Sequence, residues 1–175
     1  DLARPFAEKD IEWRVGRSGI TAEGKPWILP LAYLTARAVM DRLDEVCGPD
    51  FWQDDYKMET YPDKDGVPKV LFECRISINC CGEWVTKTDV AEPTDFEPIK
   101  GGYSDSFKRC GVKWSIGRYL YHLENKFAEI STEKKPKELG WRRDQVKSQS
   151  GERVTVYWKP PKLPTWALPG NSSLK

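Results

Sequence analysis

Histidine is almost missing from this chain: His122 is the only one in 175 residues. Histidine-based catalytic triads and multi-histidine metal sites therefore have little material. Cysteine is present but unorganised. Cys47, Cys74, Cys80, Cys81 and Cys110 are odd in number, contain no CxxC pair, and put Cys80 beside Cys81. That spacing fits neither a disulfide framework nor a zinc site, so reduced intracellular thiols are expected. No apolar run approaches the roughly 20 residues that cross a bilayer, no leader pattern opens the chain, and no internal repeat is visible. A net charge is also nearly lacking, at +1. Dividing it is more informative. Residues 1–99 hold 12 Lys and Arg against 20 Asp and Glu, a balance of −8; residues 100–175 hold 16 against 7, a balance of +9. Such a split hints at a polyanion partner, or at charge pairing between neighbouring copies.

What the chain does have is aromatic residues and a basic stretch. Eight Trp and seven Tyr can serve a core, an interface or base stacking. Residues 101–121, GGYSDSFKRCGVKWSIGRYLY, read as one helix. Gly101 and Gly102 end the preceding segment, and Ser104 or Asp105 serves as the N-cap. At 100° per residue the helix carries two apolar stripes, Phe107, Cys110, Trp114, Gly117 and Tyr121 against Val112, Ile116, Tyr119 and Leu123. Lys108, Arg109, Lys113 and Arg118 emerge at the edges. Taken alone, this fits a core helix with snorkelling cations as well as a phosphate-binding wall.

The order of the other elements follows from periodicity. Residues 1–10 suggest a short helical arm, residues 11–20 a strand with Arg14 and Arg17, and residues 21–25 a turn that exposes Lys25. Residues 30–46 predict a helix, with Pro30 in its first turn, an apolar stripe of Ala32, Ala36, Val39, Leu43 and Val46, and Gly48-Pro49 as its stop. Arg37 and Arg42 read as part of its solvated face. Residues 51–61, 69–79 and 83–91 predict an antiparallel meander; in the second strand Phe72, Cys74, Ile76 and Ile78 alternate with polar residues. The two predicted helices are the available covers for one face. After residue 124 the chain becomes basic, with Lys134, Lys135, Lys137, Arg142 and Arg143 in a linker, then a hairpin loop over 145–152, a short strand over 153–158, and an apolar hook at Trp166, Ala167 and Leu168. The simplest division is a core domain over residues 1–125 and a basic, proline-rich extension over 126–175 with a short β segment. The fold class is α+β.

Several residues then match as a set: Glu12-Trp13-Arg14, the Gly24-Lys25 turn, Ala32-Tyr33-Leu34-Thr35-Ala36-Arg37, Met40-Asp41-Arg42-Leu43, Gly48-Pro49 with Trp52, and Ser104-Asp105 before Phe107-Lys108-Arg109. Over residues 10–123 this set resembles the Rad52/22 family of single-strand annealing proteins, and is most similar to its bacterial and phage branch. The resemblance implies a β-β-β-α core, assembly into rings, helical filaments or other open multimers, and ATP-independent annealing of complementary DNA in homologous recombination and repair, with no bond chemistry, metal or cofactor. It implies a basic groove for single-stranded DNA, with Lys108 and Arg109 as its basic pair, Arg14 from the first strand, Lys25 from the turn and Arg118 further along; Lys113, on the same helix seam as Arg109, is a further DNA-binding candidate. Partners would be single-stranded DNA, the annealed duplex intermediate, copies of the chain itself and a single-strand-binding protein, in the cytoplasm of a bacterium or a phage-infected host. Two other readings stay open. One is a monomeric single-strand-binding module. The other is a metal-dependent nuclease built on Glu73, Lys87 and Asp89, for which the alternative is an exposed sheet face with paired charges. The 134–143 segment is a further candidate, as a second DNA contact or a clamp between subunits.

Overall fold

The structure, a computed structural model, describes residues 1–148 and 150–170. It is α+β, with three antiparallel sheets and two helices. Strands β1 (Ile11–Ile20) and β2 (Pro26–Leu34) form a hairpin. Helix α1 (Ala36–Cys47) follows. Strands β3 (Trp52–Pro62), β4 (Pro68–Cys80) and β5 (Glu83–Ala91) form the meander, and helix α2 (Pro98–Lys113) lies against it. Strands β6 (Glu129–Ser131), β7 (Arg142–Lys147) and β8 (Arg153–Lys159) make a third sheet in the order β6-β8-β7.

The meander is where alternation in the sequence translates directly into burial. Phe72, Cys74, Ile76 and Ile78 of β4 are all buried on one face, and α2 covers them with Phe107 and Cys110. The helix lies close to the sheet because residue 102 is glycine: a Cβ there would overlap the Phe72 ring. Val39 and Leu43 of α1 close the same core from the side. The apolar hook docks as expected, with Ala167 fully buried and the Trp166 ring 6.5 Å from that of Tyr119. A second, smaller core joins the third sheet to the first hairpin, through Val146, Val156 and Trp158 packed on Ile28.

Several expectations are corrected. Residues 26–34 are a strand, and the helix begins only at Ala36. Thr35 caps it, its side chain accepting a hydrogen bond from the Ala38 N–H at 3.1 Å. Pro30 fits β2 because the ribbon has only two strands; it pairs with Val15 beside the register shift between Val15 and Arg17. Arg42 is not on a solvated face. It is 5% exposed, lies 3.9 Å over the Phe6 ring, and donates to the carbonyls of Leu2 at 3.3 Å and Arg4 at 2.5 Å. The N-terminal arm is therefore tied to α1 by this cation, and contains one short 3-10 turn, Glu8–Asp10, in place of a longer helix.

The helix over 101–121 is also redrawn. It starts at Pro98, in the first-turn position where a missing N–H costs nothing, after Glu97 in a left-handed conformation. Gly101 and Gly102 thus lie inside it, and neither Ser104 nor Asp105 is its cap. It stops at Lys113. Ser115 (φ 71°) and Gly117 (φ 68°) turn the chain back, and a 3-10 turn, Arg118–His122, follows. The second apolar stripe is consequently split between helix and turn, although Ile116 and Tyr119 are still buried. In the extension, residues 142–147 belong to a strand, not a linker, and β6 carries no alternation long enough to read.

Candidate nucleic-acid interface

Helix α2 has two working faces. Gly102, Ser106, Phe107, Cys110 and Gly111 are buried against the core. Asp105, Lys108, Arg109 and Val112 stand at i, i+3, i+4 and i+7, the spacing of one helical stripe. This second stripe lines a cleft of about 730 Å³. The opposite wall is the first hairpin, with Trp13, Arg14, Leu31 and Tyr33. The segment from Val90 to Thr94 and the turn after α2, through Tyr121 to Lys126, complete the lining. Burial of one stripe thus fixes the other, because the helix cannot roll without breaking the packing of Phe107.

Three of the six residues singled out from the sequence meet in this cleft: Arg14, Lys108 and Arg109. Tyr33 organises two of them. The Arg14 guanidinium lies 5.6 Å and the Lys108 ammonium 5.5 Å from the centre of its ring, within range of cation–π attraction. The Tyr33 hydroxyl donates to Glu12 at 2.6 Å. Burial and that acceptor push its pKa up to about 12, so the phenol is neutral at physiological pH. Both cleft cations of α2 have a carboxylate at hand. Lys108 Nζ stands 2.6 Å from Asp105, with both side chains mostly sheltered, and Arg109 stands 3.4 Å from Asp89 of β5. Arg109 itself is 54% exposed, which leaves its remaining donors free to face a ligand.

The other three lie elsewhere. Lys113 donates its ammonium to the Thr88 carbonyl. Arg118 donates to the carbonyls of Val112 at 3.0 Å and Lys113 at 2.9 Å. Lys87 reaches the same Lys113 carbonyl at 3.0 Å while lying 4.3 Å over the Trp114 ring. Arg118 and Lys87 thus bind carbonyls at the C-terminal end of α2, Lys113 ties that end to β5, and all three complement the helix dipole. Lys25 is exposed in the turn at the tip of the first hairpin, about 20 Å from Arg14 at roughly 3.3 Å per strand residue. The residues of the nuclease reading do not converge either. Register places Asp89 opposite Cys74 on the inner face of the meander and Glu73 opposite Val90 on the outer one, and Glu73 pairs with Arg75 at 2.7 Å.

Two polar lining residues, Tyr33 and Lys126, were not among those singled out. Tyr33 sits in a segment whose helical reading hid its direction. Lys126 enters the cleft from the chain after α2, 3.6 Å from Glu124, and only the tertiary fold brings it there. The 134–143 segment is divided in the same way. Lys135 lies 6.0 Å over Trp141, and Arg142 donates to the Trp13 carbonyl at 2.7 Å across to the first hairpin. Among the described residues, no group of three or more His, Cys, Asp or Glu is placed to hold a metal ion, and no helix is long and apolar enough to cross a membrane.

A β-β-β-α core flanked by a hairpin, with a basic cleft between hairpin and helix, is the setting in which comparison with known proteins becomes informative. The family model described as Rad52/22 family double-strand break repair protein matches residues 1–139. The chain belongs to that family. Two similar relatives are single-stranded DNA-binding proteins named DdrA. That of Deinococcus deserti is 31% identical over 170 residues, 96% of this chain and 68% of the relative. That of Deinococcus radiodurans is 33% identical over 171 residues, 96% of this chain and 66% of its own length. The chain thus spans about two thirds of the length of these relatives.

Proposed function

We propose that this protein binds single-stranded DNA along the cleft between the first hairpin and α2, and anneals complementary strands during double-strand break repair. The observation that carries the proposal is the meeting of Arg14, Lys108 and Arg109 in one cleft, in a chain of the Rad52/22 family whose DdrA relatives are named as single-stranded DNA-binding proteins. Cations that grip phosphates give sequence-independent affinity. They leave base edges free, which an annealing protein requires, because each base must be tested against a complement. The acceleration comes from holding two strands in alignment, so neither nucleotide hydrolysis nor a metal is needed. Residues 1–125 form the DNA-binding core in this reading, residues 126–175 extend it, and the protein works in the cytoplasm.

The same reading makes the protein a homo-oligomer. In the meander, β3 and β5 are outer strands of 11 and 9 residues, and long unpaired edges favour pairing with another copy. Phe96 and Ile99, beside the start of α2, are largely exposed, as a subunit contact would require. Assembly joins short clefts into one continuous track and raises avidity without new contacts. The direct test mixes complementary oligonucleotides with the protein in the absence of nucleotide and metal, and follows duplex formation while native mass spectrometry reports the assembly. Accelerated annealing by an oligomer is expected. Tight binding by a monomer with no acceleration would support the binding-module reading in its place.

A further inference from the structure

The family match ends at residue 139, yet the chain continues into a hairpin with a strongly asymmetric surface. Antiparallel register fixes which side chains share a face. Val146, Val156 and Trp158 point to the small core against the first hairpin. Arg143, Lys147, Arg153, Tyr157 and Lys159 therefore lie on the opposite face of the sheet. All four cations are exposed, and none has an ion pair among the described residues. Lys147 is directly opposite Arg153, an arrangement that is destabilising unless an anion is shared between the two. Two carboxylates stand near this face. Glu129 is opposite Lys159, and Glu152 is in the connecting loop; neither is within ion-pair distance of the four. Tyr157, half-buried, lies between Arg143 on one side and Ser131 on the other.

We propose that the outer face of the β6-β8-β7 sheet is a second surface for single-stranded nucleic acid, in which Arg143, Lys147, Arg153 and Lys159 bind phosphates and Tyr157 stacks on a base. The dimensions fit. From Arg153 to Lys159 the strand advances about 20 Å at roughly 3.3 Å per residue, which matches about six nucleotides at the ~3.4 Å rise of a stacked strand. Cations in rows beside an aromatic ring on a sheet face are the chemistry of sequence-tolerant single-strand binding. The face is also rigidly related to the cleft. The inner side of its sheet packs on the same hairpin that carries Arg14, pinned by the bond from Arg142 to the Trp13 carbonyl. One copy thus holds two basic surfaces in fixed relation, one for each strand to be paired.

The inference rests on the single-strand-binding reading but not on the assignment of the cleft. Its test uses the full chain and a labelled oligothymidylate. Affinity is measured over a salt series for a variant with Arg143→Gln, Lys147→Gln, Arg153→Gln and Lys159→Gln, alone and combined with Lys108→Ala and Arg109→Ala. All four sites are exposed, and melting no lower than that of the unmodified protein verifies the fold. The quadruple variant should flatten the slope of log affinity against log salt by about 2 to 3, at roughly 0.7 per phosphate contact, and bind at least tenfold more weakly in the combined background. Tyr157→Leu should weaken single-strand binding about fivefold or more, with less effect on a duplex. Unchanged affinity and slope in both backgrounds would overturn the proposal. So would an equal loss for single strand and duplex with Tyr157→Leu silent, which describes a general polyanion surface. If the cleft reading alone is wrong, Lys108→Ala with Arg109→Ala binds as the unmodified protein does while the quadruple variant still loses affinity.

Discussion

In the cleft, Lys108 and Arg109 stand beside Asp105 and Asp89, whereas on the outer face of the C-terminal sheet four cations stand without an ion pair among the described residues. The first arrangement is set by a large core, because Phe107 and Cys110 anchor the helix that presents it. The second is carried by a hairpin over a smaller core, in which Val146, Val156 and Trp158 pack on Ile28. A pre-paired cation keeps its geometry in the absence of ligand but must exchange a carboxylate for a phosphate when it binds. An unpaired one binds at no such cost but is less precisely held. A helix wall of paired charges suits a strand that must be oriented, and an open face of unpaired ones suits capture.

The largest effects should separate the two supports. Phe107→Ala should cost about 3–5 kcal/mol, as deleting a buried aromatic does, and should weaken binding through the cleft as α2 loosens. Trp158→Ala should cost a similar amount yet leave the contribution of Lys108 and Arg109 to the salt slope intact. Equal loss of that contribution in both variants, read from melting curves and salt titrations together, would erase the distinction. Next in size, Asp105→Asn frees Lys108 from a pair worth roughly 0.5–1 kcal/mol, so affinity for single-stranded DNA should rise about two- to fivefold. A fall would mean that Asp105 orients the lysine more than it competes for it.

A smaller effect concerns Tyr33. Its pKa is raised from 10.0 to about 12, so the folded state favours the neutral phenol. The resulting stability is complete below pH 10 and is lost as pH rises towards about 12. Subtracting the alkaline absorbance titration of Tyr33→Phe from that of the unmodified protein should leave one midpoint near pH 12. A midpoint near 10 would mean that the hydroxyl is neither sheltered nor bound to Glu12.

The two regions also differ in how far they could be read from the sequence. The meander was legible because β4 has one wet and one dry face over a long run. Lys108 and Arg109 were legible because they sit within a clear helix, where spacing alone predicts a shared side. The first hairpin was not, since Pro30 is as compatible with a first helical turn as with a two-stranded ribbon, and Ala32, Ala36, Val39 and Leu43 happen to keep a helical period across the strand–helix junction. That misreading hid Tyr33, which faces Lys108 only through the strand. Trp114 to Gly117 broke the second helix through two left-handed residues, one of them Ser115, which no local pattern announces. In the C-terminal sheet β7 contains a single buried residue, Val146, too few to show alternation, so the common face of Arg143, Lys147, Arg153 and Lys159 emerged only from strand register.

The most direct test of the cleft as a single-strand site is the salt dependence of oligothymidylate affinity for the unmodified protein and for Lys108→Ala with Arg109→Ala, under conditions where both assemble alike. Two lost phosphate contacts should flatten the slope of log affinity against log salt by about 1.4, at roughly 0.7 each, together with a loss of affinity that does not depend on base sequence. Superimposable lines for the two proteins would contradict the account.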